Sequence, residues 1–194
     1  MLFQDGYSEL TELEIPGGSL TLDEQEDYGY QIYTLEPAMA PGETLKMRFA
    51  TERVQDGFST RGTDTRLVKN GTFLNNAEFA PQLGFDRSAL LQDRSTRRKY
   101  DLPAELRMPK LEDESARDRN YVGNVDWVMS DITVTTRADQ VPIAPGKLVS
   151  DVTEGDRRTA RFKSTNPILG FFSVQSAEYA VTKREHTGID MEIY

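Results

Sequence analysis

The sequence has no cysteine and a single histidine, His186. These two scarcities remove whole classes of chemistry. Without thiols there is no disulfide, no thiol nucleophile and no thiolate metal site. With one histidine, a zinc site built on two is excluded within these residues. A Ser-His-Asp triad would have to run through His186. Long apolar runs are also missing. No stretch of about 18 apolar residues exists, so direct membrane insertion is not expected. The opening MLFQDGYSEL lacks a basic region and a long apolar core, so a signal peptide is not expected there. Basic residues are absent where acids are dense: residues 1–45 carry ten Asp and Glu and no Lys or Arg. Over the whole chain, 23 Lys and Arg against 32 Asp and Glu give a net charge of −9. With no basic stripe, nucleic acid and anionic lipid are not expected as partners. Neither a Gly-Lys-Ser/Thr loop nor GxGxxG is present, which removes the usual phosphate cradles.

What remains is a chain of 194 residues, 37% apolar and 28% charged. That size suits one domain with its own core, and a single β domain spanning 1–194 is expected. Short strand signals recur between turns. In TLKMRFAT, Leu45, Met47 and Phe49 alternate with Lys46 and Arg48, the period of a half-buried strand over 44–51. Further strands are expected at Tyr30–Leu35, Asp126–Thr136, Gln140–Ala144, Lys147–Val152, Arg158–Lys163, Phe171–Val174, Glu178–Lys183 and Asp190–Tyr194. Pro41-Gly42, Asn70-Gly71, Pro145-Gly146 and Glu154-Gly155 are the turn signals. The fold class is therefore all-β, a saddle-like or sandwich arrangement of mostly antiparallel strands. Residues 86–120 break the pattern with nine bases, eight acids and two prolines. They read as a long polar excursion, rich in protease sites, in which LQDRSTRRKY forms a short solvated helix. Trp127 and Phe172 are expected in the core, and Arg97, Arg98 and Lys99 on the surface. The sequence ends on a strand-like GIDMEIY, so the chain is expected to be a piece of a larger protein.

Candidate chemistry is sparse. His186, in KREHTGID, reads as an exposed turn residue rather than a base or ligand. The carboxylate pairs Asp23/Glu24, Glu26/Asp27 and Glu112/Asp113/Glu114 sit in polar runs. A glycosidase-like use of such pairs needs a cleft that perturbs one of them. LDEQED lacks the order of a calcium loop. The many aromatic residues suit core packing, with a sugar-binding stripe as the alternative.

Four segments, taken in order, carry a resemblance. They are GYQIYTLEPAMAPGETLKMRF, NGTFLNNAEFAPQLGFDRSALLQDRSTRRKYDLP, DWVMSDITVTTRADQVPIAPGKLVSDV and FKSTNPILGFFSVQSAEYAV. This order resembles the amino-terminal β domain of aminopeptidase N-type zinc metallopeptidases (gluzincins). It is most similar to the modules that bacterial proteins join to an ABC-transporter-type permease. The resemblance runs from about Gly29 to Tyr194. The family's HExxH and GxMEN motifs are absent here; Asp190-Met191-Glu192-Ile193 holds "ME" without the Gly and Asn. The resemblance therefore implies a non-catalytic, cofactor-free piece, with zinc held only by a downstream domain. It implies that downstream domain as partner, a peptide as substrate, and a place on the extracytoplasmic face of a bacterial membrane protein. It also implies that a polar residue after the first sheet reaches the substrate's amino end. Asn75, Asn76 and Glu78, in Phe73–Phe79, are the candidates for that place; the family's signature after them is replaced by PQLGF. A free-standing extracytoplasmic binding module for carbohydrate or protein is the alternative function.

Overall fold

The computed structural model describes residues 2–3, 8–55, 65–84, 91–104, 110–116 and 126–194. Its strands are, in order, β1 (Leu2–Phe3), β2 (Glu9–Glu14), β3 (Gly18–Glu24), β4 (Tyr30–Leu35), β5 (Arg48–Glu52), β6 (Leu67–Val68), β7 (Gly71–Asn75) and β8 (Gln82–Leu83). They continue with β9 (Trp127–Val128), β10 (Asp131–Arg137), β11 (Val141–Ile143), β12 (Lys147–Glu154), β13 (Arg157–Lys163) and β14 (Ile168–Leu169). The last are β15 (Ser173–Ala177), β16 (Thr182–His186) and β17 (Ile189–Ile193). Three short helices, α1 (Gln25–Tyr28), α2 (Asn76–Phe79) and α3 (Arg94–Lys99), complete the regular structure with a 3-10 turn at Glu114–Ala116. Every described strand pair is antiparallel, and the fold is all-β.

The chain divides into two compact units. The first comprises 1–3, 15–46 and 82–126. Its sheet has the order β3-β4-β1-β8, and Leu2 on the inner strand β1 is fully buried. In α3, Asp93 caps the helix by accepting from the Thr96 N–H at 2.7 Å. Hydrogen bonds from Ser95 and Thr96 hold the Asp93 carboxyl down at about 2. LQDRSTRRKY does contain this helix, but Arg97 is buried rather than exposed. Its guanidinium donates to the backbone carbonyls of Pro103 (2.9 Å) and Leu91 (2.8 Å), so the chain folds over it. Arg98 and Lys99 are exposed. The predicted excursion falls partly outside the described residues, at 86–90, 105–109 and 117–120.

The second unit comprises 4–14, 47–81 and 127–194. It holds a three-stranded sheet, β10-β13-β12, and a four-stranded sheet, β11-β15-β7-β6. Alternation places Ile132 and Val134 of β10 on one face with Ala160 and Phe162 of β13, and Ala144 completes the buried cluster. Val174 of β15, from the other sheet, packs against it. The chain passes between these sheets at 138–140, pinned by Gln140. The side-chain amide oxygen of the buried Gln140, Oε1, accepts from the hydroxyls of Thr136 and Ser176. Two glycines permit close approaches that a side chain would block. A Cβ at Gly71 would meet the Ala177 Cβ at 2.8 Å, and at Gly146 (φ 108°) it would meet the Lys163 backbone at 2.5 Å.

Two expectations about strands are corrected here. The strand expected over 44–51 forms only at Arg48–Glu52, pairing with β2, and Phe49 is exposed. Trp127, expected in the core, is 61% exposed. It lies on a two-residue strand paired to β14, too short to be covered on both faces. Phe172 is half-buried.

Candidate functional site

The candidates Asn75, Asn76 and Glu78 share one corner, where β7 ends and α2 begins. Asn75 takes an extended conformation that stops the strand and starts the helix. Three residues on, Glu78 reaches back, and its Oε2 accepts from the Asn75 N–H at 2.8 Å. Its Oε1 accepts from Arg66 Nε at 2.6 Å. The Glu78 side chain is only 12% exposed while that of Arg66 is 45% exposed, so the carboxylate is sheltered, its partner faces solvent, and both carboxylate oxygens already have donors. Asn76 fastens the corner to the segment before β15. Its side-chain amide donates to the Gly170 carbonyl at 2.7 Å, and its Oδ1 accepts from the Phe172 N–H at 3.2 Å. The Asn76 N–H donates to the Phe172 carbonyl at 2.8 Å. The Ser8 and Thr51 hydroxyls donate to the Glu78 and Phe79 carbonyls of α2. The structure thus brings all three residues together and uses each to lock the corner. Arg66 is the participant that sequence reasoning missed, because nothing local pairs it with a glutamate twelve residues away.

Beside this corner a cleft of about 730 Å³ opens between the two sheets of the second unit. Its floor is Leu74, Phe79, Phe172 and Val174, and its wall is β10 from Ile132 to Arg137. Arg137 and Arg157 stand at one end. Arg137 is paired with Asp139 and lies 3.8 Å from Glu178. Away from the cleft, two bidentate pairs order the same sheet. Arg161 donates to Asp131 at 2.7 and 2.6 Å, and Arg158 to Asp151 at 2.9 and 2.6 Å. These hydrogen bonds hold both carboxyls below their ordinary value and both guanidiniums above theirs.

His186 closes β16, opposite Ile189, and is exposed beside the Thr187-Gly188 turn, where both residues have positive φ. Among the described residues no group of three or more Asp, Glu or His is placed to hold a metal. No described helix is long and apolar enough to cross a membrane. Compared with known proteins, the chain matches no family model, no curated protein and no solved structure.

Proposed function

We propose that the chain is a non-catalytic scaffold that docks on a neighbouring catalytic domain of the same polypeptide and walls its substrate cleft. The observation that carries the docking is the β16–β17 ribbon. It is exposed throughout, and its strand β17 alternates apolar with acidic residues. On β17, Ile189, Met191 and Ile193 lie on one face, beside His186, Arg184 and Thr182 of β16, while Asp190 and Glu192 lie on the other with Glu185 and Lys183. An apolar stripe of this kind, left in water beside polar neighbours, marks an interaction surface. The resemblance to aminopeptidase N-type modules of bacterial ABC-permease proteins supplies the identity of the neighbour. In that reading the zinc and the HExxH helix belong to the neighbour, the cleft receives a peptide, and the assembly faces out of the cytoplasm. The β7–α2 corner with Asn75, Asn76 and Glu78 is then the rigid edge of the cleft wall.

The reading frame beyond Tyr194 tests this directly. An HExxH motif within about one domain length, ~150 residues, is expected. A frame without one sinks the reading. The chain alone should hydrolyse no aminoacyl anilide and retain no stoichiometric zinc after dialysis against a weak chelator.

The exposure of Trp127 favours a second reading, an extracytoplasmic module that binds carbohydrate or protein through a surface aromatic. Trp127 is the single tryptophan, so its fluorescence reports such binding without labels. A saturable change on titration with oligosaccharides would support it, and a flat titration would remove the carbohydrate form.

A further inference from the structure

The cleft beside β10 is bounded in an unusual way. Six consecutive residues, Ile132 to Arg137, line it. Successive side chains of a strand point to opposite faces, so a run of six lines a cavity along the strand's edge. That edge is open: among the described residues β10 pairs only with β13. The direction of the free groups follows from the ladder. Ser164 donates to the Ser130 carbonyl at 2.9 Å, and Ala138 donates to the Asp156 carbonyl at 2.8 Å. Even-numbered residues of β10 therefore bond inward to β13, and odd-numbered ones turn their backbone groups outward. Thr133 and Thr135 present N–H and C=O groups to the cleft. Behind them lie Ile132, Val134, Leu74, Val174, Phe79 and Phe172, an apolar seam between the sheets.

Two arginines stand at the end of the seam. Arg137 and Arg157 face each other directly in the closer, non-hydrogen-bonded kind of pair. Like charges so placed repel. Arg137 is offset by Asp139 and Glu178. Glu154 is the cross-strand neighbour of Arg157 on β12, but no ion pair forms between them. Among the described residues, the Arg157 guanidinium has no hydrogen-bond or ion-pair partner.

We propose that the β10 edge is a strand-addition site. Its occupant is an extended segment of another polypeptide with alternating apolar side chains and an acidic residue at the Arg137/Arg157 end. Its backbone pairs with Thr133 and Thr135, its apolar side chains fill the seam, and its carboxylate supplies the anion that Arg157 lacks. Residues 131–137 extend about 20 Å at strand rise, which seats a segment of about six residues. Such pairing rejects proline on the paired side, which has no N–H to give. The site does not depend on the peptidase-module reading and fails or stands separately from it.

The test is amide hydrogen exchange on the intact chain, read at Thr133 and Thr135. The probe is a capped hexapeptide of alternating Val and Thr ending in Glu. Both amides should exchange freely in the chain alone and about tenfold more slowly with the peptide. The same peptide N-methylated at every bond keeps its side chains and should give no protection. Thr135→Pro removes an outward N–H without removing a backbone β10–β13 bond (it also deletes the side-chain contact of Thr135 with Thr159 at 3.0 Å), and should abolish binding while the Val134 amide stays protected. Should Thr135→Pro not fold, Arg157→Glu carries the test. It should weaken the Glu-ended peptide about tenfold and favour a Lys-ended one. Protection of Thr133 and Thr135 in the dilute chain alone would overturn the proposal, since the edge would already be covered. Protection that rises with the chain's own concentration would overturn it in favour of a second copy. Equal binding of the N-methylated peptide, or indifference to Arg157→Glu, would overturn it as well.

Discussion

The β10–β13 pair and the β16–β17 ribbon are built alike and situated differently. Both are antiparallel, both contain a strand that alternates apolar with polar residues (β10 and β17), and both carry a cross-strand ion pair, Arg161 with Asp131 and Lys183 with Glu192 at 2.5 Å. In β13 the apolar residues Ala160 and Phe162 are buried under the opposing sheet. In the ribbon, Ile189 and Ile193 are 63% and 67% exposed. The ribbon is held by its turn, by the Lys183–Glu192 pair and by an edge-on contact of Tyr194 with Tyr179 at 5.8 Å. The hydrogen bond to Glu192, with burial behind it, pushes the Tyr194 phenol up to about 12. A two-stranded ribbon supported this way is marginal in water unless its apolar face is covered. Alternation therefore says that a strand has two faces, and only the surroundings say which face is filled.

Substitutions sharpen the contrast, the largest first. Phe162→Ala should cost about 3 kcal/mol or more in a urea titration, since a 9%-exposed aromatic leaves a cavity between two sheets. Gly146→Ala should cost about 2–4 kcal/mol, because the added methyl meets the Lys163 backbone at 2.5 Å in a φ of 108°. On the ribbon, Gly188→Ala should cost about 1 kcal/mol: its φ is 75°, but nothing lies within 4 Å of the new methyl. Ile193→Ala should cost under about 0.5 kcal/mol in the chain alone. A loss from Ile193→Ala as large as that from Phe162→Ala would abolish the distinction.

Acid should act on both regions in the same direction. Asp131, Asp151 and Glu192 have folded values depressed first by hydrogen bonds from Arg161, Arg158 and Lys183. A depressed carboxyl binds fewer protons folded than unfolded, so its stabilisation is present above the unfolded value, about 4, and is lost as pH falls through the folded one. Thermal melting should weaken below about pH 4. Asp131→Asn should flatten that decline, and an unchanged slope would show that the Arg161 pair is not linked to folding. Trp127→Ala should change stability by less than about 1 kcal/mol, as for other surface positions.

Much of this architecture was readable from local pattern. Tyr30–Leu35 is a strand over the residues its aromatic and β-branched composition marks out, and Glu154-Gly155 begins the tight turn between β12 and β13. What escaped depends on covering. Trp127 has a strand former's side chain, but its strand is two residues long and its face is not covered. Arg97 sits in a charged run, yet two backbone carbonyls close over it. At the candidate corner the polar residues were legible as a group. Their locking to Arg66, Gly170 and Phe172 was not, because those partners come from other parts of the chain. The free edge of β10 was equally hidden, since alternation in one strand carries no record of which neighbour is missing.

The central claim, that the apolar face of the ribbon is a docking face for a neighbouring domain, has a clean probe because the chain contains no cysteine. Ile189→Cys places one thiol on that face. Maleimide labelling of this thiol should be fast in the chain of 194 residues and about tenfold slower or more in the complete polypeptide that the gene encodes. Equal rates in the two would leave the ribbon facing water in the whole protein and contradict the claim.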